Sequence, residues 1–168
     1  MKLYHGGTAP VAEPDLSRSR QRLDFGGGFY TTTSLAQAVR WSKIKCKREE
    51  LLTGCVSCYE FDEDVLKSKT LAVHRFKGPS RAWLTFVIRN RRDDGYSHPY
   101  DVVQGAVAND RVYTCINAFE SGFIDFDAVI NRLRTYALVD QLSFHTERAV
   151  KHLRFIGERR VRLSEADS

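Results

Sequence analysis

LDFGGGFYTTTSLAQAVRWS, residues 23–42, is the stretch on which the fold reading turns. Three glycines in a row make a turn, and Phe29, Tyr30 and the threonines at 31–33 favour extended chain. Ser34 stands where a helix N-cap belongs. Leu35, Ala38, Val39 and Ser42 then share one helical face, with Trp41 at its edge. The stretch reads as turn, strand and capped helix, the helix ending in the basic run at 43–48. Upstream, residues 3–5 form a short strand that stops at Gly6-Gly7. Residues 8–24 read as a polar loop with Pro10, Pro14 and the basic series Arg18, Arg20, Arg22.

Downstream, residues 55–61 read as a strand with Cys55, Ser57, Tyr59 and Phe61 on one face, and residues 70–76 as another. A helix is predicted over 80–90, where Trp83, Phe86, Val87 and Asn90 align, and Asp93-Asp94-Gly95 is a turn. Residues 100–108 read as a strand interrupted by Gly105. Asp125 caps a helix whose inner face is Phe126, Val129, Ile130, Leu133 and Tyr136 or Ala137. Residues 139–145 alternate, Leu142 and Phe144 one way, Gln141, Ser143 and His145 the other. Thr146 opens a last short helix, and residues 153–163 close the sheet. Helices scattered among short strands, with no regular βαβ beat, indicate α+β rather than a doubly wound sheet.

A chain of 168 residues fits a single domain, 1–168. With 42% hydrophobic and 28% charged residues it is globular, which excludes disordered, collagen-like and coiled-coil readings. Lys plus Arg at 26 against Asp plus Glu at 21 leaves +5, a mild excess that suits a nucleotide or nucleic acid without requiring one. No apolar run approaches the roughly 20 residues of a membrane span, and the N-terminus turns polar at once. A cytoplasmic protein without membrane contact is therefore expected. Cys55-Val-Ser-Cys58 has the spacing of a zinc or redox pair. No second pair or nearby histidines accompany it, and it runs into strand-like sequence, so reduced thiols and no metal site are expected.

Three segments carry candidate chemistry. In Leu3-Tyr4-His5-Gly6-Gly7-Thr8, a strand-end histidine can aim its imidazole into a cleft while the glycines admit a ligand to the backbone. The plainer alternative is a satisfied histidine at a turn. In residues 24–31, neither a dinucleotide fingerprint nor a P-loop is present. Gly28, Phe29, Tyr30 and Thr31 instead put aromatic rings beside backbone amides, a platform for a planar heteroaromatic ring. The alternative is a turn entering a buried aromatic strand. In residues 140–146, Gln141 can hold a ribose hydroxyl but cannot act as a base at neutral pH. The alternative is a solvent-facing strand position.

Together, LYHGG, LDFGGGFYTTTSLAQAVRWS, YDVVQGAVAND and DQLSFHTERAVKHLRF occur in an order that resembles the ADP-ribosyltransferase superfamily. The branch is the His-Tyr-Glu one of diphtheria toxin and the poly(ADP-ribose) polymerases. More closely, the chain is similar to a bacterial family, domain of unknown function 3990, placed in that superfamily. The resemblance implies a split β-sandwich of two short twisted sheets flanked by helices, and NAD as substrate. It implies that His5 bonds the adenine-side ribose, the backbone around Gly6 and Gly7 holds the nicotinamide carboxamide, and Tyr30 stacks on the nicotinamide ring. Gln141 falls where the pattern often has Glu, so it supplies no charge. Mono-transfer rather than chain elongation is the expectation.

Other residues are second-rank candidates. Arg18, with Arg20 and Arg22, is placed to meet a pyrophosphate or simply to be solvated. Asn109 and Asp110 border the acceptor side or shape a turn. Glu147 is a reserve carboxylate at a helix start, where the dipole favours it anyway. The expected activity is NAD-dependent mono-ADP-ribosyl transfer to a macromolecular acceptor, protein or nucleic acid. A toxin or phage-conflict effector, with an antitoxin partner, would fit by analogy. The competing readings are an NAD or ADP-ribose binding module with reduced catalysis, and a basic nucleic-acid-binding protein whose binding would fall steeply with salt.

Overall fold

A computed structural model describes residues 1–108, 110–135 and 138–163. The strands are β1 (Lys2–Gly7), β2 (Phe29–Thr32), β3 (Thr53–Glu60), β4 (Val73–Arg75), β5 (Val102–Ala106), β6 (Asp140–Phe144) and β7 (Arg154–Arg162). The helices are α1 (Leu35–Arg48), α2 (Arg81–Arg92), α3 (Asp110–Glu120), α4 (Phe126–Arg134) and α5 (Glu147–Val150). The class is α+β. The sequence-predicted caps are in place: Ser34, Asp125 and Thr146 accept from the Gln37, Ala128 and Ala149 backbone amides, and Ser80 caps α2 in the same way on Trp83. Within the loop at 8–24 the chain makes one 3-10 turn, Leu16–Arg18, capped by Asp15.

The helix α3 was not expected from sequence. Its residues include Val112, Tyr113, Thr114, Cys115 and Ile116, all of modest helix propensity. What forms it is burial of Val112, Cys115 and Ile116 against α4 and the sheet.

The strands form one mixed sheet in the order β4-β5-β6-β2-β1-β3-β7, parallel between β4 and β5 and antiparallel elsewhere. This corrects the expectation of two separate sheets, because hydrogen bonding runs across the middle. It does so narrowly: β1 and β2 pair at one position, Tyr4 opposite Thr32. By contrast β2 pairs with β6 over its whole length and β1 with β3 over its whole length. A four-stranded half and a three-stranded half therefore meet at a seam.

Residue alternation sends Gln141, Ser143, Tyr30 and Thr32 to one face of the sheet and Leu142, Phe144, Phe29 and Thr31 to the other. The first face carries α2, α3 and α4 over a core of Trp83, Leu84, Val87, Val103, Val129 and Leu133. The second buries Leu3, Tyr59, Phe61, Leu142 and Phe144. A smaller cluster of Ala38, Val56 and Val161 lies under α1. Among the described residues, no helix is long and apolar enough to cross a membrane.

Candidate functional site

The seam sets the geometry around His5. Its Nδ1 lies 2.7 Å from the Tyr30 carbonyl oxygen. A carbonyl only accepts, so Nδ1 carries the proton and Nε2 keeps its lone pair. The ring stacks on Phe29, with centroids 4.4 Å apart. His5 thus fastens β1 to β2 beyond the point where their backbone pairing stops. Nε2 faces Lys45 of α1, whose Nζ is 3.5 Å away and donates to the Gly6 carbonyl at 2.7 Å. Burial, then the Lys45 charge, bring the His5 pKa down to about 3 against the opposing pull of the Tyr30 carbonyl. Burial and the nearby Arg20 lower Lys45 in turn. His5 is a neutral imidazole with an acceptor nitrogen beside a cluster of positive charge.

The glycines after His5 serve packing as well. A Cβ on Gly6 would stand 2.0 Å from the Ala38 carbonyl oxygen, so the close approach there is made by α1. The Gly7 carbonyl accepts from Ser42 at 2.7 Å. Both glycine carbonyls are thus bonded by side chains of α1, Lys45 on Gly6 and Ser42 on Gly7.

The turn at 24–28 is held on three successive carbonyls by side chains from three places. His98 Nε2 reaches Phe25 O at 2.8 Å, the Tyr30 hydroxyl donates to Gly26 O at 2.6 Å, and His145 Nδ1 reaches Gly27 O at 2.6 Å. The Tyr30 oxygen also accepts from the Phe25 amide at 3.0 Å. Its ring packs in the helical-face core beside Phe25 and His145. Burial and the Asp24 charge raise the Tyr30 pKa well above its ordinary value. The ring expected to serve as an aromatic platform is anchored to the turn through its hydroxyl. Gly28 has room for no side chain, since a Cβ would meet His145 Nδ1 at 2.7 Å. Phe29 is buried, and Thr31 is buried with its hydroxyl on Leu142 O at 3.0 Å.

Gln141 is 2% exposed, not solvent-facing. Its Nε2 lies 3.0 Å from Asp24 Oδ2 and 3.4 Å from Ala106 O. Asp24, 7% exposed, also accepts from the Ala108 amide at 3.0 Å, from Arg91 Nε at 2.9 Å and from the Tyr113 hydroxyl. Arg91 stacks over the Tyr113 ring. Those two side chains also line a cleft of about 360 Å³ with Arg22, Arg92 and Asn117.

The structure therefore brings Tyr30 and Gln141 to one face, linked through the Asp24 turn. It puts His5 in the seam with its ring on Phe29, on the opposite register. Arg18 is exposed in the 3-10 turn, and Arg22 pairs with Asp94. Asn109 lies outside the described residues, and Asp110 is the first residue of α3. Glu147 is exposed in the first turn of α5. Cys55 and Cys58, three apart on β3, point to opposite faces and are free thiols.

Sequence reading did not single out Asp24, Lys45, Arg91 or Tyr113. The usable signal was Asp24 itself, an acid set between Leu23 and Phe25 at the mouth of a glycine turn. No curated protein and no solved structure matches the chain. Residues 1–155 match the family described as protein of unknown function, DUF3990, and the chain belongs to that family.

Proposed function

We propose that this protein binds NAD across the seam between β1 and β2 and passes one ADP-ribose to a macromolecular acceptor, releasing nicotinamide. The observation that carries this reading is the adjacency of β6, β2 and β1. Gln141, Tyr30 and His5, far apart in the chain, come to three consecutive strands where the sheet thins to one paired position. In this reading His5 Nε2 accepts from a ribose hydroxyl. Lys45 and Arg20 supply positive potential for the pyrophosphate. Tyr30 stacks on the nicotinamide, and Gln141 binds the nicotinamide-side ribose. A dinucleotide that bridges the seam meets both registers.

The reaction breaks the bond between the ribosyl carbon and the nicotinamide nitrogen. Its electron pair leaves with nicotinamide, which becomes neutral. The acceptor forms the new bond to the same carbon and gives its proton to solvent. Positioning and fixed dipoles supply the rate enhancement.

The test is NAD labelled on its adenine, incubated with the protein and a bacterial lysate, then split between protease and nuclease digestion. Transfer predicts label on a macromolecule and free nicotinamide with the parent protein, and neither with His5→Ala. The digest that removes the label names the acceptor class. Equal labelling by parent and His5→Ala would defeat the assignment. The neutrality of Gln141 favours a second reading, an NAD or ADP-ribose binding module without turnover. It predicts bound NAD, no free nicotinamide and no label.

A further inference from the structure

A neutral glutamine at the third position leaves the proposed site without a negative charge, yet a carboxylate stands one hydrogen bond away. Asp24 lies 117 residues upstream of Gln141, and its Oδ2 accepts from Gln141 Nε2 at 3.0 Å. Both groups bonded to that amide, the Asp24 carboxylate and the Ala106 carbonyl, are acceptors. The side-chain orientation is thereby settled chemically: the NH2 must face them, and Oε1 is the end turned away from both. A glutamine so held offers an incoming hydroxyl only an acceptor, as a carboxylate would. The charge behind it draws electron density toward Oε1.

Asp24 is itself held firmly. Arg91 Nε and the Tyr113 hydroxyl bond Oδ1, and the Ala108 amide shares Oδ2 with Gln141. These partners come from α2, α3, the segment that follows β5, and β6, so the carboxylate is fixed from four directions.

We infer that Asp24 is the positioning residue of this site: it fixes Gln141 with Oε1 toward the ribose hydroxyl and provides the negative charge that glutamine lacks. The inference rests on the NAD-transfer reading for its consequence in catalysis, but the Asp24–Gln141 coupling can be measured without it.

Two variants and two kinds of readout test it. Asp24→Asn removes the charge but can still accept from Gln141 on one side. Asp24→Ala removes both charge and contact. In protein labelled with 15N at glutamine, the Gln141 side-chain NH2 protons should exchange slowly with solvent. They should shift in Asp24→Asn and exchange at least tenfold faster in Asp24→Ala. Unmoved Gln141 signals in both variants, with the rest of the spectrum intact, would overturn the coupling whether or not the protein is an enzyme.

On nicotinamide release, Asp24→Asn should lower kcat at least tenfold and leave the KM for NAD within about threefold. Gln141→Glu alone places two carboxylates in contact, which cannot both ionise easily, so its pH–rate profile should gain an ionisation absent from the parent. The exchange pair Asp24→Asn with Gln141→Glu should lose that ionisation and recover kcat. A merely structural Asp24 predicts lowered stability with kcat retained in the folded fraction, and that result would refute the role. A parent that releases no nicotinamide would refute the transfer reading, leaving the NMR result to decide the coupling.

Discussion

His5 shows how one side chain is made to fit a task by its surroundings. Donation from Nδ1 to the Tyr30 carbonyl fixes the tautomer, and burial with Lys45 beside Nε2 holds the pKa at about 3. Such an imidazole accepts hydrogen bonds and does not shuttle protons near neutrality. Its ring resonances should stay flat from pH 8 to pH 5 and move only near pH 3. In Lys45→Met, with the second cause of the depression removed, the midpoint should move up. A parent midpoint near 6.5 would contradict the environment described. His5, Tyr30 and Gln141 stood out in the sequence as candidates because each sits in a distinctive block. Their partners were not. Lys45 is forty residues from His5, and Asp24 meets Gln141 across 117, and no local pattern encodes a contact of that kind.

Among the elements, α1 is fitted closely against β1 and β3. Gly6 touches the Ala38 carbonyl, Gly54 of β3 would bring a Cβ within 2.3 Å of the Ser42 hydroxyl, and the Gly7 carbonyl takes the Ser42 hydrogen bond. Gly6→Ala should therefore push α1 off the sheet and cost about 3 kcal/mol or more, as overpacking of a rigid contact does. Denaturant unfolding would measure it, and a loss under about 1 kcal/mol would mean that the helix yields easily. Helices α1 and α4 were legible because each opens on a capping side chain and continues with an apolar stripe, and α2 was legible by its stripe alone. Helix α3 was not, although Val112, Cys115, Ile116 and Phe119 follow helical spacing. Its β-branched and aromatic composition reads as strand, and tertiary burial decides otherwise. Strand order was also out of reach, since β1 lies between β2 and β3 only through pairings that span loops of unlike length.

For the whole molecule, acid response follows from groups buried without charge. His145, bonded to Gly27 O, is held down to about 4, and His5 to about 3, both chiefly by burial. The unfolded chain protonates both near 6.5 and so binds more protons than the folded one below that pH. Stability should therefore decline as pH falls from 6.5 towards 4, by up to about 1.4 kcal/mol per pH unit for each histidine fully engaged. Asp101 works lower. Arg148 chiefly, with Thr146 and the Ala72 amide, holds it at about 2, so its contribution is complete above the ordinary carboxylate range and fades as pH drops towards 2. Denaturant midpoints measured from pH 7.5 to pH 3.5 check the first window, and a flat profile there would contradict the buried neutral histidines.

The meeting of the two sheet halves at Tyr4 and Thr32 has a mechanical meaning of its own. A sheet paired along every strand resists bending as a plate does, whereas one whose halves share a single backbone pairing, with side-chain packing across it, has a crease between two plates. Slow opening of this protein should concentrate along that crease, and any ligand that spans it would act as a splint, stiffening the line where the chain is most compliant.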